Sequence, residues 1–340
     1  MKKNILLLLV FSFFITTVFA QEAQNNFILE GIKMHDKGDY EGAIEMYKKA
    51  LTSNPESVQA KFEMATSYLQ LKDFTNAIKY SNMVIAANVD YLDQAYILKG
   101  SALDYSGKPA EAVKIYKQAL KKFTNNQLLY YNLALTSFAL KDYKQTDEAL
   151  LKALKLDQLH ASSHFLLALS MLAQGKRVQG ILAMYNFLLL EPKSKRSISA
   201  LQELESAWKK SSTKEKEKPA PKNPPVKKEA DEFYTASLML DILESSKNNE
   251  TNKNKPAAVL FAENTNTLFT ILGDAKKDKK GFWWNFYVDY FYTLAANHHT
   301  EALCYYITQS KDGAYDEWIK ENIQKMEALS EWYTKYLHKF

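Results

Sequence analysis

The residues of this 340-residue chain with the most direct claim on chemistry are its six histidines and single cysteine. His298, His299, Glu301 and Cys304 stand close together. A Cys–His pair within hydrogen-bond reach makes a thiolate nucleophile, and a His pair with a carboxylate can ligate a metal. Neither spacing is a recognised motif. Adjacent residues on a helix point about 100° apart, so His298 and His299 suit a turn better than a shared site. Cys304 lies in the apolar run LCYYI, where Cys behaves as a small buried hydrophobe. There is no Gly-rich phosphate loop, no G-x-S-x-G and no H-E-x-x-H. His35, His160, His164 and His338 read as surface or packing residues. One Cys excludes a disulfide framework and a Cys-based zinc site within the chain. This reading assigns no catalytic residue, no metal and no cofactor.

The elements behind these residues are helical. Only 10 Gly and 8 Pro in a Leu-, Ala- and Lys-rich chain argue against an all-β fold with many tight turns. The formal charge is +5, but residues 209–230 hold eight Lys and three Glu. Lys2 and Lys3 lie at the start, so the rest of the chain is close to neutral. A nucleic-acid-binding domain carries a basic face of its own, so nucleic acid is not expected as a partner.

Five similar units follow one another from Gln24 to Ser194: Gln24–Ser57, Val58–Tyr91, Asp93–Asn126, Gln127–His160 and Ala161–Ser194. Ala43, Ala77, Ala112, Thr146 and Gly180 recur at spacings of 34, 35, 34 and 34. Each unit has two stretches with apolar residues at helical spacing, divided by a short polar turn: KGDY, KDF, SGKP, KDY or QGK. The small residues fall where two helix axes must approach to roughly 8–10 Å. A lone helix pair cannot bury its apolar face, so such units stack into a solenoid.

The pattern resembles the tetratricopeptide repeat over about half of the chain. Gly31, Ala65, Gly100, Ala134 and Ala168 match the family's small residue in the first helix. Ala43, Ala77 and Ala112 match its alanine in the second, with Thr146 and Gly180 as departures. Tyr47 and Tyr116 match its aromatic, where Ser81, Leu150 and Met184 stand in the other units. Ala50, Ala119 and Ala153 match the later alanine, and Pro55 and Pro192 the closing proline.

The resemblance implies that the first helices line a concave groove that binds a protein or peptide. Its residues would include Ile28, Ile32, Phe62, Ile97, Tyr131, Leu135, Phe138, Phe165 and Leu169, with Asn132 as a polar contact. His35, Thr66, Leu69, Ser101, Asp104 and Leu172 lie on the same faces. A clamp for a terminal carboxylate needs Lys, Arg and Asn there, so this largely apolar groove fits a helix or an extended apolar peptide better. Phe62, Tyr131, Phe138 and Phe165 are the expected aromatic anchors. A competing expectation is that several of these residues are core, or are covered by the C-terminal part.

Residues 1–20 read as a cleaved signal peptide. Lys2 and Lys3 precede the apolar run Ile5–Phe19, and Val18-Phe19-Ala20 offers a cleavage site before Gln21. A periplasmic or secreted protein is expected. SISALQELESAWKK, from Ser197, suits a helix capping the solenoid at 24–210. Residues 211–230 hold four of the eight Pro and read as a disordered linker. Its Lys offer peripheral contact with a membrane or cell wall, although a solvated tether is the simpler reading.

Residues 231–340 read as a second, smaller helical domain. Its helices are expected at Asp231–Ser246, Ala257–Leu272, Phe282–Ala296, Thr300–Gln309 and Tyr315–Leu337. Within it, 283–307 has the rhythm of a degenerate repeat, with Ala302 and Tyr306 mirroring Ala43 and Tyr47. The fold class is therefore all-α. The function expected is an exported, non-catalytic scaffold binding a protein or peptide partner. Two alternatives stand beside it: an enzyme or small-ligand-binding domain in the C-terminal part, and self-association through those helices.

Overall fold

The computed structural model describes residues 24–209, 232–311 and 313–337, and the regular structure among them is entirely helical. The signal-like segment 1–20 and the linker 211–230 lie outside the described residues. The chain divides into two compact units, Met1–Leu156 and Asp157–Phe340.

The first unit holds four helical hairpins. They are α1 (24–36) with α2 (Tyr40–Ser53), α3 (Val58–Gln70) with α4 (Phe74–Ala87), α5 (Leu92–Tyr105) with α6 (Pro109–Leu120), and α7 (Gln127–Ala139) with α8 (Tyr143–Leu156). The same turn closes each pair. Gly38, Lys72, Gly107 and Lys141 are left-handed, with φ of 84°, 60°, 80° and 60°. In the first hairpin Gly38 N donates to His35 O and Asp39 N to Met34 O, and the other three repeat this pairing. The carbonyls at the end of the first helix are thereby satisfied. The next residue starts the second helix. Asp39, Asp73 and Asp142 accept from the N–H of Gly42, Asn76 and Gln145 at 2.9, 3.1 and 3.1 Å. In the third hairpin Pro109 at the first helical turn serves instead.

Close approach sets the geometry of each pair. A Cβ added to Gly31 would lie 2.4 Å from the Tyr47 ring, and one on Gly100 2.3 Å from the Tyr116 ring. Where the second helix carries Ser81 or Leu150 in place of Tyr, the first carries Ala65 or Ala134. Glycine is thus used where the facing side chain is an aromatic ring.

The first pair is pinned to the second, and the third to the fourth, by polar bonds between first helices. Gln24 Nε2 donates to Ser57 Oγ at 2.9 Å, and Asn126 Nδ2 to Asp93 Oδ2 at 2.7 Å. One helix length away, His35 Nδ1 shares a hydrogen bond with Ser67 Oγ at 2.8 Å, and Thr136 Oγ1 donates to Asp104 Oδ2 at 2.7 Å. These rungs join residues 32 or 33 positions apart, so one repeat is held in register on the next. Each contributes about 0.5–1.5 kcal/mol net.

The second unit begins with the fifth hairpin, α9 (Ala161–Ala173) and α10 (Arg177–Leu190). Its turn is again left-handed, at Gly175 (φ 75°). In α10 every residue from Arg177 to Leu189 is buried. This helix packs against α9, α11 (Lys195–Lys209), α12 (Tyr234–Ser245) and α15 (Thr300–Thr308). The boundary between the two compact units thus falls before the fifth hairpin. The physical reason is RVQGILAMYNFLLL, which has no polar face and must be covered on all sides. The expected capping helix α11 has one buried and one exposed face: Leu201, Leu204, Ala207 and Trp208 are buried, where it packs on α10 and α12, while Ile198, Gln202 and Glu203 are exposed.

Arg177 ties the two sides of the linker together. Its Nε and Nη2 donate to Ala207 O and Trp208 O, each at 2.6 Å, and its Nη1 pairs with Asp241. The guanidinium thus satisfies the last carbonyls of α11 and holds α12. The remaining helices are α13 (Ala257–Lys276), a π-helical turn Trp283–Val288 running into α14 (Asp289–Ala296), α15, and α16 (Ala314–Leu337).

The turn between α14 and α15 copies the repeat turn: His298 is left-handed (φ 62°), its N donates to Ala295 O, and His299 N donates to Leu294 O. Matching the hairpins on this residue puts Phe291, Leu303 and Ile307 where Gly31, Ala43 and Tyr47 stand. The expected correspondence of Ala302 and Tyr306 is therefore displaced by one residue. All three occupants are buried, and Phe291 stacks on Phe269 of α13 at 4.6 Å.

His164 of α9 is fully buried. Its Nε2 lies 2.8 Å from Gln158 O and its Nδ1 2.6 Å from the Tyr287 hydroxyl in the π-helical turn. A carbonyl only accepts, so Nε2 carries the proton and Nδ1 accepts from Tyr287. Burial pushes the imidazole from its ordinary 6.5 down to about 4.

Two outcomes are expected. Gly100→Val should destabilise the first unit by about 1–3 kcal/mol through overpacking against Tyr116, read as a lower thermal midpoint. His164 is neutral in the fold and protonates more readily unfolded, so its stabilisation is present above pH 6.5 and is lost as pH falls to about 4. The full loss is about 3 kcal/mol, and His164→Gln should flatten that part of the stability–pH curve. An unchanged curve would contradict the buried neutral assignment.

Candidate functional site

The residues with chemical potential are not assembled as a catalytic group. Cys304 is buried on α15, and burial pushes its thiol up to about 12. A thiolate is therefore not available at neutral pH. His298 is exposed in the turn, and the half-buried His299 has its ring 5.6 Å from Trp332. Glu301 is engaged with α16: Lys325 Nζ lies at 2.6 Å and Trp318 Nε1 at 3.3 Å. Among the described residues no group of three or more His, Cys, Asp or Glu is placed to hold a metal.

The inner-face residues divide by environment. Ile28 is core, 2% exposed and packed with Ala50 and Ala60. It is thereby removed from the expected groove. The reason is tertiary: α1 lays this position over Ala50 of α2 and Ala60 of α3, which leave room for a branched side chain. Ile32 is half-buried against the same cluster and against Tyr47. Phe62, Ile97 and Tyr131 occupy one position of three successive first helices, ten residues before each left-handed turn, and all are half-buried. The Phe62 ring stacks on Tyr91 at 4.9 Å. Further along α7, Leu135 is 39% exposed, and half-buried Phe138 meets Tyr143 edge-on at 5.9 Å. Asn132 Nδ2 donates to Leu128 O of its own helix at 2.8 Å.

Phe165 and Leu169 belong to the second unit. Both are half-buried, and the Phe165 ring lies 4.7 Å from Phe187 of α10. His35 and Asp104, read as inner-face residues, are rungs of the inter-repeat ladder. Their pairing with Ser67 and Thr136 was available in the sequence as polar residues nearly one repeat apart.

Sequence reasoning missed two concavities. One, of about 510 Å³, opens between α6, α7 and α8 over Leu133 and Ala149, with Lys117, Lys152 and Lys155 beside it. The other, of about 250 Å³, lies in the second unit against Trp208 and Phe261. Neither has a sequence signal, because each is assembled from three or more separate elements.

Two tetratricopeptide repeat family models match the chain, one over residues 34–101 and one over residues 97–145. The chain is similar to RNA polymerase II-associated protein 3 of Homo sapiens, with 32% identity over 97 residues, which is 28% of this chain and 14% of that protein. It is also similar to small glutamine-rich tetratricopeptide repeat-containing protein 2 of Mycosarcoma maydis, 33% identical over 106 residues, or 31% of this chain and 30% of that one. The chain therefore spans less than a third of the length of these relatives. Among solved structures, the MamA crystal structure aligns at 23% identity and a TM-score of 0.42, covering 47% of this chain and 94% of MamA. Residues 34–145 of this chain thus carry the match to the tetratricopeptide repeat.

Proposed function

We propose that the protein is an exported, non-catalytic scaffold whose first unit binds an apolar protein or peptide segment along its first helices. The observation that carries this reading is the row Phe62, Ile97 and Tyr131, with Leu135 and Phe138 alongside. Each stands in a register shared between repeats, and each is left partly accessible where other apolar positions of the same helices are core. Repeated partly exposed apolar residues on rigid helices suit a binding partner with apolar side chains spaced along a helix or strand. The polar bonds between α5 and α7 support it by fixing the spacing of Ile97 and Tyr131 without occupying the row. Export is proposed from Lys2, Lys3, the apolar run to Phe19 and the cleavage-like Val18-Phe19-Ala20.

The test is photo-crosslinking from position 135 in the full-length protein, expressed in its native cells. A specific adduct is expected in the envelope fraction. It should fall by about tenfold or more in Phe62→Ala with Tyr131→Ala, as for loss of two aromatic anchors, while circular dichroism shows the helices retained. Adducts that survive the double change would place binding elsewhere. Mass analysis of the same material should show a mature chain starting at Gln21, and retention of Met1–Ala20 would contradict export by cleavage.

A further inference from the structure

The recess in the second unit sits between the end of α11, the start of α13 and the α15–α16 junction, with a volume of about 250 Å³. Its floor is apolar: Leu201, Leu204, Trp208 and Phe261. Trp208 is held edge-on to Phe261 at 6.3 Å, and its Nε1 donates to Tyr185 at 3.3 Å, so this wall is rigid. Small side chains, Ala257 and Ala258, leave the space open on the α13 side.

The rim has the opposite character. Lys209, Lys247 and Lys311 stand around it, against a single lining carboxylate, Glu205. Lys311 Nζ lies 2.5 Å from Glu205 and Lys209 Nζ 3.9 Å from it, while Lys247 Nζ lies 2.5 Å from Glu244, so three lysines face two carboxylates and one positive charge is in surplus. The α13 helix begins at this wall with no side-chain cap, which adds the positive end of a 20-residue helix. An apolar floor with a rim of surplus positive charge complements one kind of molecule, an apolar body ending in an anion.

We infer that this recess binds a small amphipathic carboxylate, an acyl or aryl acid. Its hydrocarbon part lies against Trp208 and Phe261, and its carboxylate among Lys209, Lys247 and Lys311. At the packing density of a protein interior the space takes about a dozen non-hydrogen atoms. This site is independent of the row on the first unit and does not rest on the scaffold reading.

The test is calorimetric titration of the full mature chain with octanoate and, in parallel, with octan-1-ol. Octanoate should bind with one-to-one stoichiometry, and the alcohol about tenfold more weakly or worse. Lys247→Ala with Lys311→Ala should bring octanoate down to the level of the alcohol and leave the alcohol unchanged. Both substitutions are at partly exposed side chains, so the fold is retained. Ala258→Trp, checked by circular dichroism, should fill the recess and abolish both. Equal binding of acid and alcohol, no binding of octanoate, or octanoate binding that survives either variant would overturn the assignment.

Discussion

An apolar helix with no polar face cannot stand at the edge of anything, and α10 is such a helix. Thirteen consecutive residues, from Arg177 to Leu189, are buried. Fully burying one large apolar side chain is worth about 1.5–3 kcal/mol, while whole domains are stable by only about 5–15 kcal/mol. Uncovering even two of Ile181, Leu182, Met184 and Phe187 would therefore consume a large part of the stability of the unit. The helices after the linker supply the missing cover, and Arg177 locks α12 to the end of α11 while doing so. The fifth hairpin thus has the sequence of a repeat and the packing of a domain centre.

The first unit meets the same requirement differently. Its second helices keep a polar face, so neighbours in sequence suffice to cover them. What must be exact there is the spacing within each pair, and two devices set it. One is the turn, whose left-handed residue and paired back-bonds are the same at Gly38, Lys72, Gly107 and Lys141. The other is the matched volume of facing residues, glycine under Tyr47 and Tyr116 and alanine elsewhere. A rigid frame of this kind lets a few partly exposed apolar residues recur at constant separation, which is the basis for reading the row from Phe62 to Phe138 as a contact surface.

Much of this was legible in the residues. The period of 34, the polar turns and the small residues at the crossings specify the hairpins, because each has a local physical cause. The division of the chain before the fifth hairpin has its signal in RVQGILAMYNFLLL, which lacks the amphipathic spacing of the earlier second helices. The one-residue displacement at Ala302 and Tyr306 has another cause. The register is set by the left-handed turn, and at His298, as at Lys72 and Lys141, no glycine marks it. Ile28 joins the core through its contact with Ala50 and Ala60, which no single helix pattern reveals. The two concavities depend on several elements meeting in space and left no trace in the order of residues.

The central claim is that α9 to α11 unfold together with α13 to α15, and separately from α3 to α7. Native-state hydrogen exchange of the full chain under increasing denaturant tests it most directly, with Asp241→Ala as the perturbation. Removing this partner leaves the buried Arg177 guanidinium with its two carbonyl bonds but without this carboxylate, a cost of about 3–5 kcal/mol. The account predicts that amides of α10, α13 and α15 lose protection together by this amount while α3 to α7 keep theirs. Loss of protection in α9 to α11 shared with α3 to α7, with α13 and α15 unaffected, would contradict it.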